Sequence, residues 1–238
     1  MFRYIGLEIR RTLRDSFFLV FGTAMPVMMY LLFTNLGESD GGWRTSSMVG
    51  MAAYGALGSA MSIGTGVASD RSLGWLDQLR VTPLPPGRAV VGRAVSGSVT
   101  VLPTILAVLL AGGLVNGVRM DVWQWVVLVL LLWIGALPFT LLGLGNGYHL
   151  TPQGTGVVNM TCLMGFAVVG GLWFPLEALP GWLGALGGFT PANRFAELGW
   201  ATTEGHAPGA GTVAVLCGWL LCFGAYAVFS YRRSTRTV

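Results

Sequence analysis

Val126-Val127-Leu128-Val129-Leu130-Leu131-Leu132-Trp133-Ile134 carries no charge and almost no side-chain polarity. It sits within a longer apolar stretch, 122–147. A helix that crosses a bilayer needs about 20 such residues, so this stretch reads as a membrane span. Outward from it, five more apolar stretches of comparable length follow: 17–36 with Pro26 as an expected kink, 48–69, 95–115, 156–172 and 212–231. The stretch 48–69 is the weakest, being rich in Gly, Ala and Ser. The expectation is an all-α membrane protein of six transmembrane helices, forming a single domain over residues 1–238.

Composition agrees. Of 238 residues 53% are hydrophobic and 10% charged, against about 25% charged in soluble domains. Mean hydropathy is +0.66. All 14 basic residues are Arg, and the net charge is +4. That surplus does not point to nucleic acid, because the Arg residues cluster beside apolar runs. With the N-terminus in the cytoplasm and six crossings, eleven Arg lie inside: Arg3, Arg10, Arg11, Arg14, Arg71, Arg80, Arg88, Arg93, Arg232, Arg233 and Arg236. Only Arg44, Arg119 and Arg194 lie outside. This bias predicts that both termini are cytoplasmic.

Three further segments are distinctive. In residues 1–16, Phe2, Ile5, Ile9 and Leu13 recur at helical spacing between Arg residues, which predicts an interfacial amphipathic helix. The first apolar run is long and no A-x-A site follows it, so it reads as a retained span rather than a signal peptide. Residues 70–93 are too long and too patterned for a plain turn. Residues 173–204 are semi-apolar but interrupted by Pro175, Pro180, Gly181, Gly184, Gly187, Gly188 and Pro191. Irregular backbone at membrane depth must be buried or line water. The segment therefore reads as one or two short re-entrant helices on the extracellular side, or as a folded loop there.

Catalytic chemistry is sparse. Cys162, Cys217 and Cys222 lie in apolar runs and His149 and His206 are isolated, so neither metal nor thiol chemistry is indicated. The spans hold no charge well inside them, which argues against ion coupling and voltage sensing. A chain without Lys cannot carry the phosphate-binding G-x-x-x-x-G-K-[ST] loop. Gly143-Leu144-Gly145-Asn146-Gly147 lacks that spacing and reads as a close-packing or helix-ending feature. The expectation is no catalytic residue, no bound metal and no cofactor held by this chain.

Asp70-Arg71-Ser72-Leu73-Gly74-Trp75-Leu76-Asp77-Gln78-Leu79-Arg80-Val81-Thr82-Pro83-Leu84 resembles the first cytoplasmic loop of ABC-2 type permeases, with Asp70 where Glu is usual and Trp75 where Thr is common. Trp173-Phe174-Pro175-Leu176-Glu177-Ala178-Leu179-Pro180 and Thr190-Pro191-Ala192-Asn193-Arg194-Phe195 are similar to that family's segment before the last span. Bacterial drug-efflux members, of the daunorubicin-resistance type, match best in size and layout. The resemblance implies a multi-pass protein of the bacterial plasma membrane that pairs with a second permease subunit, identical or sibling. It also implies a separate ABC ATP-binding subunit that uses ATP and Mg. Residues 71–80 would be the coupling helix.

On that implication Asp70, Arg71, Leu73, Trp75, Leu76, Asp77, Leu79 and Arg80 would meet the ATPase. Leu73, Leu76 and Leu79 form an apolar stripe that fits a groove, and Pro83 ends the helix before it. An amphipathic helix lying on lipid headgroups has the same pattern. The family's second and fifth spans carry the path, here Ser59, Ser62, Thr65, Asn159, Met160, Met164 and Phe166. The hydroxyls suit helix packing, and Met and Phe suit an amphiphilic substrate such as a drug or lipid. Phe174, Pro175, Glu177 and Arg194 would form an extracellular gate, with Glu177 capping or hydrogen-bonding inside it and Arg194 pairing with Glu197. A polysaccharide or glycolipid exporter shares the layout. A membrane enzyme or assembly scaffold would need a His and carboxylate constellation that is not present.

Overall fold

The computed structural model describes residues 16–35, 41–73, 93–95 and 97–234, with side chains from residue 22 onward. The expected interfacial helix at 1–16 lies outside that range but for Ser16. So does most of the expected coupling helix, including Trp75, Leu76, Asp77, Leu79 and Arg80.

The described residues form helices and no strands. They are α1 (Ser16–Asn35), α2 (Gly41–Ser72), a 3-10 turn at Val99–Val101 leading into α3 (Leu102–Leu114), α4 (Val122–Gly135), α5 (Leu137–His149) and α6 (Pro152–Val169). A 3-10 turn at Leu176–Ala178, α7 (Gly181–Gly187), α8 (Pro191–Thr203) and α9 (Ala210–Ser234) follow. Among the described residues, three helical runs are long and apolar enough on their own to cross a membrane: Arg93–Leu114, Val122–His149 and Ala210–Ser234. The second joins α4 and α5 through Ala136, with Pro138 in the first turn of α5. Pro tolerates that position because its missing N–H has no partner there anyway.

Local chemistry sets the ends. Thr151 and Thr190 cap α6 and α8, accepting from the N–H groups of Gly154 at 3.2 Å and Asn193 at 3.3 Å, each with Pro next in the chain. At the start of α4 the Asp121 N–H donates to Gln124 Oε1 at 2.9 Å, and Gln124 Nε2 donates to the Thr202 carbonyl at 3.0 Å. That second bond ties α4 to α8.

α2 is the hub. It packs on α1, α3, α5, α6 and α8, and its most extensive partner is α5, which in turn packs on α9. Its small residues allow this. A Cβ on Gly64 would overlap the Gly143 carbonyl, and one on Gly147 would overlap the Gly64 carbonyl. A Cβ on Gly143 would lie 2.5 Å from the Met61 carbonyl oxygen. Backbone meets backbone here, the contact small residues permit between membrane helices. The glycine-rich stretch 143–147 is therefore a packing surface. A hydroxyl ladder adds to the bundle: Ser59 Oγ lies 3.0 Å and Thr23 Oγ1 3.4 Å from Thr104 Oγ1, joining α1, α2 and α3.

Large apolar side chains point outward in stripes. Val126, Leu130 and Ile134 on α4, Leu106, Leu110 and Leu114 on α3, and Leu221 and Phe229 on α9 are all exposed. Contiguous apolar surface of this kind is a liability in water and the natural surface of a helix in lipid.

Candidate functional site

Two regions at opposite ends of α2 concentrate the polar chemistry. With 32 residues, α2 is about 48 Å long at 1.5 Å per residue, well beyond a hydrocarbon core of about 30 Å.

At the C-terminal end is a clamp. Asp70 and Arg93 are both buried and form an ion pair between their side chains. The next residue, Arg71, donates through its guanidinium to the carbonyls of Tyr148 and Leu150, where α5 ends. Those carbonyls have no partner inside their helix, and a cation is favourable there. Asp70 and Arg71 are thus engaged within the chain. Leu73, by contrast, is 81% exposed.

In the bundle interior a polar cluster joins four helices. Asn146 Nδ2 donates to Asn159 Oδ1 at 2.8 Å, Asn159 Nδ2 donates to the Met61 carbonyl at 2.8 Å, and the Tyr226 hydroxyl donates to Asn146 Oδ1 at 2.9 Å. Asn146 satisfies both neighbours at once. Asn146→Leu is expected to lower the unfolding free energy by about 1–3 kcal/mol, the cost of stranding buried polar groups. Thermal unfolding of the detergent-solubilised chain reads this, with the exposed Thr161→Val as the neutral control.

The residues expected along a substrate path do not gather around one space. Ser59 turns to Thr104, Ser62 bonds the Ser59 carbonyl at 2.7 Å, and Thr65 is half-buried. Asn159 is taken up in the cluster. Met160 is exposed, Met164 is half-buried, and Phe166 packs on Phe139 with ring centroids 5.8 Å apart.

At the N-terminal end of α2 lies a cavity of about 500 Å³. Its walls come from the start of α2, the segment after α6, and α8. Gly171 makes this possible: its φ of 72° belongs to the left-handed region that only glycine enters without cost. The turn redirects the chain away from α6, and Asn193 Nδ2 holds it by donating to the Gly170 carbonyl at 3.1 Å. Of the expected gate residues, Phe174, Pro175 and Glu177 line the cavity and Arg194 does not. Glu177 is exposed and makes no hydrogen bond or ion pair among the described residues, so the expected capping role is not seen. Arg194 donates to Glu197 at 2.6 Å, as the spacing predicts.

Trp43, Ser47, Trp200 and Glu204 complete the cavity and were not legible as site residues. The one available signal was the tendency of Trp to gather at the ends of membrane helices. Arg93, Asn146 and Tyr226 carried no local signal for their roles.

Comparison with known proteins accords with this architecture. A family pattern described as "ABC-2 type transporter" matches residues 5–199. The Bacillus subtilis (strain 168) protein named "Putative transport permease YvfS" is 26% identical over 221 residues, covering 91% of this chain and 90% of that protein. The family pattern starts ahead of α1 and ends within α8, taking in the clamp and the cavity wall apart from Trp200, Thr203 and Glu204, so the chain belongs to the ABC-2 type transporter family, as a multi-pass membrane transport permease and not an enzyme.

Proposed function

We propose that this chain is the permease subunit of an ATP-driven exporter that moves a hydrophobic or amphiphilic compound, a drug or a lipid, out across the bacterial plasma membrane. It crosses the bilayer six times, through α1, α2, the run 93–114, the joined α4 and α5, α6, and α9. Both termini and residues 70–93 face the cytoplasm, and the cavity faces outside, roofed by 173–204 as a re-entrant segment. ATP and Mg belong to a separate ABC ATP-binding subunit, and a second permease subunit completes the membrane part.

The observation that carries the reading is α2 itself, one unbroken rod with a charge clamp at one end and an aromatic cavity at the other. The clamp supports a coupling role for the segment between Asp70 and Arg93. Its two ends are tied to each other and, through Arg71, to α5. A push on the segment then reaches α2 and α5 directly, and the glycine contact passes it along the bundle to α9. Asp70 and Arg71 act in this reading as anchors of the coupling segment. The partner-facing chemistry falls to Leu73 and to Trp75, Leu76, Asp77, Leu79 and Arg80.

Leu73→Asp tests this. Leu73 is exposed, so the variant is expected to fold and insert like the parent. Loss of at least about tenfold in recovery of the ATP-binding subunit on co-purification is expected, because hot-spot apolar contacts each contribute about 2 kcal/mol or more. Unchanged co-purification and unchanged stimulated ATP hydrolysis would remove the docking role from this segment.

A further inference from the structure

We infer that the cavity walled by Trp43, Trp173, Phe174 and Trp200 binds an aromatic organic cation. The inference deepens the export reading, on which it rests for what the site serves, by naming the charge class of the compound.

The volume, about 500 Å³, lies within the range of small-molecule pockets. The aromatic walls are held in place. Trp43 Nε1 donates to the Phe33 carbonyl at 3.3 Å and Trp200 Nε1 donates to the Ser46 carbonyl at 3.1 Å, while Trp173 packs edge-on against Tyr54 with centroids 5.4 Å apart. Indole faces are the strongest aromatic partners for a cation.

Charge points the same way. Among the described residues, the ionisable side chains that line the cavity are Glu177 and Glu204, and no Arg or His lines it. The nearest basic groups are directed elsewhere or only partly offset this. Arg44 sits between the lining residues Trp43 and Thr45 without lining the cavity itself, Arg194 is paired with Glu197, and His206 sits on one oxygen of Glu204 at 2.8 Å. Among the described lining residues, an anionic amphiphile would meet two carboxylates and no Arg or His.

An independent observation marks the cavity as built for a ligand with polar atoms. Ser47 is 6% exposed, lines the cavity, and its hydroxyl has no hydrogen-bond partner; the Trp173 indole N–H is likewise buried without one. Buried polar atoms left unpaired are uncommon. Both residues border the cavity, so a small shift of either side chain would bring the Trp173 N–H or the Ser47 hydroxyl to an acceptor atom on the ligand.

The test is equilibrium dialysis of the full chain in maltoside micelles, with empty micelles subtracted. Tetraphenylphosphonium and tetraphenylborate, ions of one shape and opposite charge, are the probes. The expected result is saturable binding of the cation with tryptophan quenching, at least tenfold tighter than the anion. Glu177→Gln with Glu204→Gln, both on exposed residues, is expected to weaken the cation at least tenfold and leave the anion no weaker. Trp200→Phe keeps a ring in the wall and is expected to cost less than the double variant. Equal binding of the two ions, or an unaltered preference in the double variant, would overturn the proposal. A lipid ammonium headgroup offers the same chemistry. Displacement of the probe by added phosphatidylethanolamine assigns the site to such a headgroup, and retention of the probe assigns it to a free cation; the cation preference stands in both. The assay uses no ATPase, so its failure is separate from failure of the export reading, which rests on co-purification.

Discussion

Gly64→Val is expected to yield no stable permease, with recovery of monodisperse chain below about one tenth of the parent's. Glycine in a helix is ordinarily a weakness, about 1 kcal/mol worse than alanine, so a larger residue should help wherever there is room. At Gly66 there is room, with nothing within 4 Å of an added Cβ. At Gly64 there is none: the added atom overlaps the Gly143 carbonyl, and backbone cannot rotate aside as a side chain can. Overpacking of a core costs about 1–3 kcal/mol where side chains adjust. Here two helices must separate along their tightest contact, and the separation would open the Asn146–Asn159 cluster beside it. Gly66→Ala, two positions away, is expected to match or slightly exceed the parent in thermal stability. Equal behaviour of the two positions would mean that α2 and α5 do not meet backbone to backbone.

Arg93→Met carries the second large effect. Asp70 would keep its charge in a buried site with the Arg93 guanidinium gone, and removing one member of such a pair costs about 3–5 kcal/mol. Asp70→Leu with Arg93→Met removes both charges together and is expected to recover most of that loss, because the pair's attraction largely offsets its own desolvation. The functional readout then separates from stability. With the clamp gone, the segment between these residues is no longer tied end to end. The double variant is expected to bind the ATP-binding subunit while losing substrate-stimulated hydrolysis by about tenfold. A double variant as unstable as the single one, or one fully coupled, would show that the clamp neither offsets its charges nor transmits force.

Much of the helix plan was legible in hydropathy because lipid-facing helices must be apolar. The run around Val126–Ile134 and the last helix are plain in the sequence for that reason, and Val126, Leu130 and Ile134 do point outward. The stretch 48–69 was faint for the opposite reason. As α2 it is surrounded by other helices, so close approach matters more than apolarity, and its Gly, Ala and Ser serve that need. It also extends to Gly41, further than apolarity indicated, because Trp43 docks on the Phe33 carbonyl. Gly143 and Gly147 could be read as packing or as a helix end, and only the placement of Gly64 decides between them.

The sites were legible in pieces. Trp173 through Glu177 stood out as a broken, aromatic segment. Trp43, Ser47 and Trp200 are remote in sequence and join it only because α2 and α8 bring them there. Asp70 looked available to a partner from its place in a charged loop. Its pairing with Arg93, 23 positions on, has no periodicity to betray it.

The most direct test is side-specific labelling of single cysteines, in a background with Cys162, Cys217 and Cys222 replaced. Leu73→Cys and Ser234→Cys are expected to react with a membrane-impermeant maleimide only in inside-out vesicles, and Glu177→Cys only in intact cells. Reaction of Leu73→Cys and Glu177→Cys from the same face would contradict the account, because the end of α2 and the cavity would then share one side of the bilayer.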